Sequence, residues 1–181
     1  MTADRQSDAE LLAAVGSRDV DAIRELYERH AAWLSIRLSR RCNDSEVVAD
    51  ALQDTFVAVW QKPASFRGQG DVAAWLWGIA IRRLVSRLRR RRDVIVSLER
   101  DDSTPVAGAE EQVLLSVEYG DIGQALAQLS PQMRAVIQAV VLDGLTTKEA
   151  AQLLRMPEGS VKTRLSRAKV QLRAALVEGM Q

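Results

Sequence analysis

The sequence predicts an all-α protein built as two small helical domains joined by a flexible acidic linker. Three observations carry this expectation. Apolar residues recur at helical spacing along most of the chain. One stretch, VIVSLERDDSTPVAGAEEQ, breaks that period, holds Pro105 and Gly108, and is acidic. The charge also changes sign along the chain: residues 1–30 sum to −3, 62–92 to +8, 93–124 to −7 and 147–181 to +4, while the whole chain is only +1. Two basic blocks on either side of an acidic connector point to a polyanionic partner that the total charge hides.

The elements follow in order. Ser7 and Glu10 have capping-box spacing and open a helix through Val15. A second helix, Asp19 to Arg40, carries Ile23, Leu26, Tyr27, His30, Leu34 and Leu38 on one stripe. A third, Ser45 to Lys62, places Val48, Leu52, Phe56 and Val59 on one face, and Pro63 ends it. The loop PASFRGQG leads to a fourth helix, Asp71 to Arg91. Its first half is apolar nearly all round, which makes it central in a bundle; its second half is an arginine block. These elements make a first domain, 1–92. Residues 93–111 read as the linker, extended near Val94–Leu98. The second domain, 112–181, opens with a helix over 112–128. Ser130-Pro131 then starts a helix that ends at Gly144. Thr146 and Glu149 form another capping box before a short helix to Leu154, and a last helix runs from Glu158 to Val177.

Composition removes several function classes. A chain of 181 residues fits one or two domains. One Cys and one His exclude an internal disulfide and a Cys/His zinc site. A Ser-His-Asp triad could use only His30, which sits mid-helix beside Tyr27, Ala31 and Leu34 as a packed or half-exposed side chain. There is no Walker-type glycine loop. No catalytic residues, cofactor or metal are therefore expected, and Cys42 reads as an inert lone thiol. No apolar run approaches the roughly 18 residues of a membrane span, and MTADRQSDAE is too polar for a secretory signal. A cytoplasmic protein without membrane insertion is expected.

TTKEAAQLLRMPEGSVKTRLSRAKVQLR has the layout of a helix-turn-helix. In its second helix Val161, Leu165, Ala168 and Leu172 share the inward face. Lys162, Thr163, Ser166 and Arg167 lie on another face and offer donors for base edges in a major groove, while Arg164, Lys169 and Arg173 can reach phosphates. The competing reading is an ordinary solvated basic face. Arg155 occupies the turn position that commonly holds glycine, so the turn carries a positive-φ cost or differs in shape.

The first basic block has aromatic company. Phe56, Trp60, Phe66, Trp75 and Trp77 lie within 22 residues ahead of seven arginines between Arg82 and Arg92. Aromatics stack on bases and arginines follow phosphates, a pairing suited to single-stranded nucleic acid. Phe56 and one or two of the tryptophans are expected in the core rather than against bases. Arg83, Arg87 and Arg90 share one helical stripe, and nothing acidic nearby is expected to balance it.

Over nearly its whole length the chain resembles a bacterial extracytoplasmic-function (group 4) sigma factor of the sigma-70 superfamily. DALQDTFVAVWQKPASFRGQGDVAAWLWGIAIRRLVSRLRRR resembles region 2, and LAQLSPQMRAVIQAVVLDGLTTKEAAQLLRMPEGSVKTRLSRAKVQLR resembles region 4, with no region 3 domain between them. The resemblance implies a transcription initiation factor. It implies that Asp50, Gln53 and Asp54 dock on the β′ clamp helices of core RNA polymerase, and that the second domain meets the β flap. Ala64–Ala74 matches the segment that captures a flipped −10 base. Phe66, Arg67, Trp75, Arg82, Arg83, Arg87 and Arg90 become the −10 recognition and melting set. The last helix reads the −35 element, and the acidic linker mimics nucleic acid in the RNA channel. Promoter DNA, duplex and single-stranded, is the implied ligand; a partner anti-sigma factor is expected, and nucleoid association when the chain is bound to polymerase. Two positions depart from the family pattern: Arg82 stands where asparagine is frequent, and Gly78 where a basic residue is frequent. Two rival readings remain: a free-standing helix-turn-helix regulator, and a nucleic-acid enzyme using Asp50 and Asp54.

Overall fold

Ser7 begins the first helix by a reciprocal exchange. Its hydroxyl accepts the Glu10 N–H at 3.3 Å, and the Glu10 carboxylate accepts the Ser7 N–H at 2.7 Å, which satisfies two backbone donors that a helix start leaves open. The computed structural model describes residues 6–68, 70–95 and 121–178. The chain divides into two compact units, 1–94 and 95–181.

The first unit contains α1 (Asp8–Gly16), α2 (Val20–Ser39), α3 (Ser45–Gln61), a 3₁₀ turn (Pro63–Ser65) and α4 (Val72–Ile95). Asp19 caps α2 by accepting the N–H groups of Asp21 and Ala22. Asp44 caps α3 in the same way through Glu46 and Val47. Removing such a cap costs about 1 kcal/mol. Leu26, Leu34, Leu38, Val59, Leu76, Ile81 and Leu84 are fully buried. Each contributes about 1.5–3 kcal/mol, so apolar burial outweighs any polar contact in holding this unit. Trp77 is buried as well, with the Arg37 guanidinium 4.5 Å from its ring centre.

Three details differ from the sequence reading. Tyr27, expected on the buried stripe of α2, is exposed and packs edge-on against Phe56 at 4.8 Å. Leu52, expected in the core, is half-buried in a surface groove. The fourth helix continues through Asp93, Val94 and Ile95, three residues into the stretch expected to be linker and partly extended. The rest of that linker lies outside the described residues, as do 112–120 of the helix expected over 112–128.

The second unit contains α5 (Asp121–Ala127), α6 (Pro131–Ile137), a π turn (Gln138–Leu142) that continues it, α7 (Thr147–Leu153) and α8 (Glu158–Glu178). Ser130 caps α6 with Pro131 at its first position. The sequence gives no sign of the π turn; it is seen in the bond from the Asp143 N–H to the Gln138 carbonyl at 2.8 Å. Gly144, at φ +68, supplies the left-handed residue that ends the helix. Leu126, Leu129, Ile137 and Ala168 form the core, with Met133, Leu142, Leu165 and Leu172 packed against it.

Buried Arg134 joins two of these helices. Its guanidinium donates to the carbonyls of Leu126, Ala127 and Leu129 at 3.1–3.2 Å. These lie at and just beyond the C-terminal end of α5, where a helix dipole favours a cation. The sequence reading did not single this residue out.

Candidate nucleic-acid interface

The α8 helix sorts its faces as its spacing predicts. Val161 and Ala168 are fully buried, and Leu165 and Leu172 pack on the core. That fixes the rotation of the helix and leaves Lys162, Thr163, Ser166 and Arg167 exposed together. Lys169 and Arg173 are exposed too, and Arg164 is half-buried. The turn before α8 is held by Arg155 in the left-handed region, φ +52. The expected cost of an arginine there is thus taken up in the structure.

Several bonds organise this face. Thr146 and Glu149 form the capping box of α7. Glu158 accepts from Lys162 at 2.8 Å and from the Thr147 hydroxyl at 2.9 Å. Those hydrogen bonds, Lys162 first, hold the Glu158 carboxyl below its usual range and tie the start of α8 to α7. The Thr163 hydroxyl donates to the Gly159 carbonyl at 3.0 Å, which orients its methyl group. The result is a helix tied at its start to α7, with a polar, largely cationic outer face suited to a major groove.

In the first unit, Phe66 and Trp75 pack edge to face at 5.5 Å, both half-buried, beside exposed Arg67. Their rings are brought together across the loop, where Gly68 and Gly70 take positive φ. The arginine stripe does meet acid, and the acid comes from α3. Arg87 donates to Asp54 at 2.7 Å and to Asp50 at 2.6 Å, and Arg91 pairs with Asp44. Its bond to Arg87 holds Asp54 below the usual carboxylate range, against burial, and the fields of Arg83 and Arg90 add to this. Bonding to Asp54 in turn raises Arg87. Arg83 and Arg90 are exposed and form no ion pair among the described residues.

The same α3 surface has a neighbouring apolar groove of about 470 Å³, lined by Tyr27, Leu52, Gln53, Phe56, Val57 and Trp60 among others. Gln53 is exposed at its edge. The Arg18 guanidinium stands 5.3 Å from the Trp60 ring and donates to the Trp60 carbonyl. Sequence reasoning missed this groove because Tyr27 and Leu52 read as core.

Gly78 and Arg82 are physically linked. Arg82 donates to the Gly78 carbonyl at 2.9 Å, and a Cβ at position 78 would come within 3.2 Å of that guanidinium. The lack of a side chain at Gly78 leaves the Arg82 guanidinium its place.

His30 has no access to a reaction. It is buried, accepts the Trp33 indole N–H on Nδ1 at 3.0 Å, and therefore donates from Nε2 to Asp8 at 2.7 Å. Burial pushes the Asp8 carboxyl up, but bonds from Arg29 and His30 outweigh it and hold it below its usual range. This cluster fastens α1 to α2. Among the described residues no group of three or more His, Cys, Asp or Glu is placed to hold a metal ion, and no helix is long and apolar enough to cross a membrane.

Comparison with known proteins adds to this geometry. Residues 26–94 match the family "Sigma-70 region 2", and residues 119–172 match "Sigma-70, region 4". The ECF RNA polymerase sigma factor SigM of Mycobacterium tuberculosis is 35% identical over 92% of this chain and 83% of its own length. SigL of the same species is 33% identical over 92% and 96%. The sigma factor CnrH of Cupriavidus metallidurans is 29% identical over 94% of each chain. A solved structure of CnrH with the cytosolic domain of CnrY aligns over 96% of this chain and 99% of that one, at 25% identity and a TM-score of 0.43.

Proposed function

The chain belongs to the extracytoplasmic-function RNA polymerase sigma factors of the sigma-70 class, and from that premise we propose how its residues divide the work of initiation. It is a transcription initiation factor that binds core RNA polymerase, directs it to specific promoters and helps melt the −10 region. In this reading α8 enters the −35 major groove. Lys162, Thr163, Ser166 and Arg167 face the bases, and Arg164, Lys169 and Arg173 face phosphates. The observation that carries it is the exposure of the first four together while Val161 and Ala168, on the same helix, are buried.

Phe66, Arg67 and Trp75 line the place of a flipped −10 base, where aromatic contact offsets an unstacking cost of a few kcal/mol. Arg82, Arg83 and Arg90 follow the strand phosphates. Arg87 belongs to the same stripe but meets a phosphate only by exchanging Asp50 and Asp54 for it. Core docking centres on Gln53 and the apolar groove beside it, with Asp50 and Asp54 at the rim against the β′ clamp helices. The second unit contacts the β flap, and the acidic linker runs in the RNA channel.

The chain acts by binding and strand separation, not by catalysis, and requires no metal or cofactor. It works in the cytoplasm, at the nucleoid when bound to polymerase. An anti-sigma factor is its proposed regulator; its relative CnrH has been solved in complex with the cytosolic domain of CnrY.

Run-off transcription tests this reading. Purified chain, sigma-free core polymerase and a library of promoter fragments should yield start sites that need both proteins. Silence beside a working control sigma, with duplex binding by the chain alone, would favour a free-standing regulator.

A further inference from the structure

We infer that Gln132 is a positioning residue for Arg164, holding its guanidinium so that the groove between the start of α6 and the helix α8 receives one phosphate of the DNA backbone. The inference rests on the reading of α8 as the −35 helix, and it adds a residue outside the helix-turn-helix to that site.

Gln132 and Arg164 lie 32 residues apart and meet side chain to side chain. Arg164 donates from Nε at 3.1 Å and from Nη2 at 3.0 Å, both to the single Gln132 Oε1. A guanidinium has five N–H donors, so three remain for an anion. Together the two side chains line a polar groove of about 410 Å³ with Ser130, Ser160, Thr163 and Arg167. Five of these six offer a side-chain N–H or O–H, the exception being Thr163, whose hydroxyl donates to the Gly159 carbonyl, and none of the six is a carboxylate.

The chemistry of the holding group decides its role. Lys162 is held by a carboxylate, Glu158, which competes directly with any phosphate for the ammonium. Arg164 is held by a neutral carboxamide, which fixes orientation without cancelling charge. A long side chain already fixed in place loses less freedom on binding, and that is how preorganisation raises affinity. A partner chosen for fold stability alone gains from being a carboxylate; a partner chosen to present Arg164 to an anion must be neutral.

The test compares holoenzymes assembled from core polymerase and the full chain, carrying Gln132→Ala, Gln132→Glu, Arg164→Ala or the Ala pair. The probe is a promoter duplex recovered from the run-off selection, titrated across a salt series. Gln132→Ala should weaken binding about 3- to 10-fold, the range of one ordinary net hydrogen bond. The double variant should bind no worse than Arg164→Ala alone. Gln132→Glu keeps the acceptor but occupies the charge, so it too should bind weakly, and the salt slope should fall by about one, as for a lost phosphate contact. Losses that multiply in the double variant would overturn the inference, as would tight binding by Gln132→Glu. So would normal binding by Gln132→Ala beside a weak Arg164→Ala. Normal binding by Arg164→Ala would instead remove Arg164 from the DNA contact, and this inference with it. Gln132 is exposed, so its variants keep the fold.

Discussion

Arg134 is buried with three carbonyls around it, and a single substitution exposes that dependence. Arg134→Met fills much of the space but strands several acceptors, each costing about 1–3 kcal/mol when unsatisfied. Part of that is relieved by relaxation, so a net loss of about 2–4 kcal/mol is expected. All four tryptophans lie in the first unit, which makes the effect separable. Circular dichroism should show an earlier second-unit transition while tryptophan fluorescence keeps its midpoint. The arginines of α4 separate in the opposite sense. Arg83→Ala and Arg90→Ala should leave the fluorescence midpoint alone and lower the salt slope of open-complex formation by about one each. Arg87→Ala should shift the midpoint itself by about 1 kcal/mol or less, since its ion pairs are half-exposed. At this scale the sequence was partly legible. The arginine stripe is periodic and visible; its acidic partners come from α3, some 33 to 37 residues away, and no local pattern announces them. Likewise Tyr27 satisfies the helical period yet faces outward, because periodicity marks a stripe but not where the buried stripe ends.

Helices were legible wherever a cap and a period agree. Ser7, Asp19, Asp44, Ser130 and Thr146 all cap as their residue types suggest. The π turn at Gln138–Leu142 was not legible, because its bonds add one residue to the loop without changing which residue types are apolar. The end of α4 was misjudged for a related reason: Val94 and Ile95 are β-branched and suit a strand, but here they prolong a helix already under way. The helix-turn-helix was legible in full, including the strain at its turn. Arg155 at φ +52 sits where a glycine is comfortable. Arg155→Gly should therefore stabilise the second unit by about 0.5–1 kcal/mol, read as a later circular dichroism midpoint with unchanged −35 binding. Gly78 poses the reverse case inside α4. Alanine there gains up to about 1 kcal/mol of helix propensity, and the obstacle is only the tip of the Arg82 side chain. Gly78→Ala should raise the fluorescence midpoint while displacing Arg82 and altering promoter melting.

Across the whole chain, charge cancels by sequence and pairs in space. The +8 block of residues 62–92 is partly met by Asp44, Asp50 and Asp54 across the α3–α4 interface, which lets so many arginines share one helix before any DNA is bound. This pairing makes the first unit sensitive to acid. Asp54, held down by Arg87, and Asp8, held down by Arg29 and His30 against burial, both have depressed carboxyl values in the fold. A depressed carboxyl stabilises the fold above its ordinary value and loses that contribution as pH falls through the folded value. Stability of the first unit should therefore be insensitive to these two groups from neutrality down to about pH 5, and fall below about pH 4. Asp54→Asn should flatten that acid-side fall, and its midpoint at neutral pH should lie below that of the parent, because the ion pair with Arg87 is gone at every pH. Arg87→Gln should do the same from the other partner. Equal acid sensitivity in all three chains, followed by tryptophan fluorescence, would mean that the α3–α4 ion pairs contribute nothing to folding and that Arg87 is as available to DNA as Arg83 and Arg90.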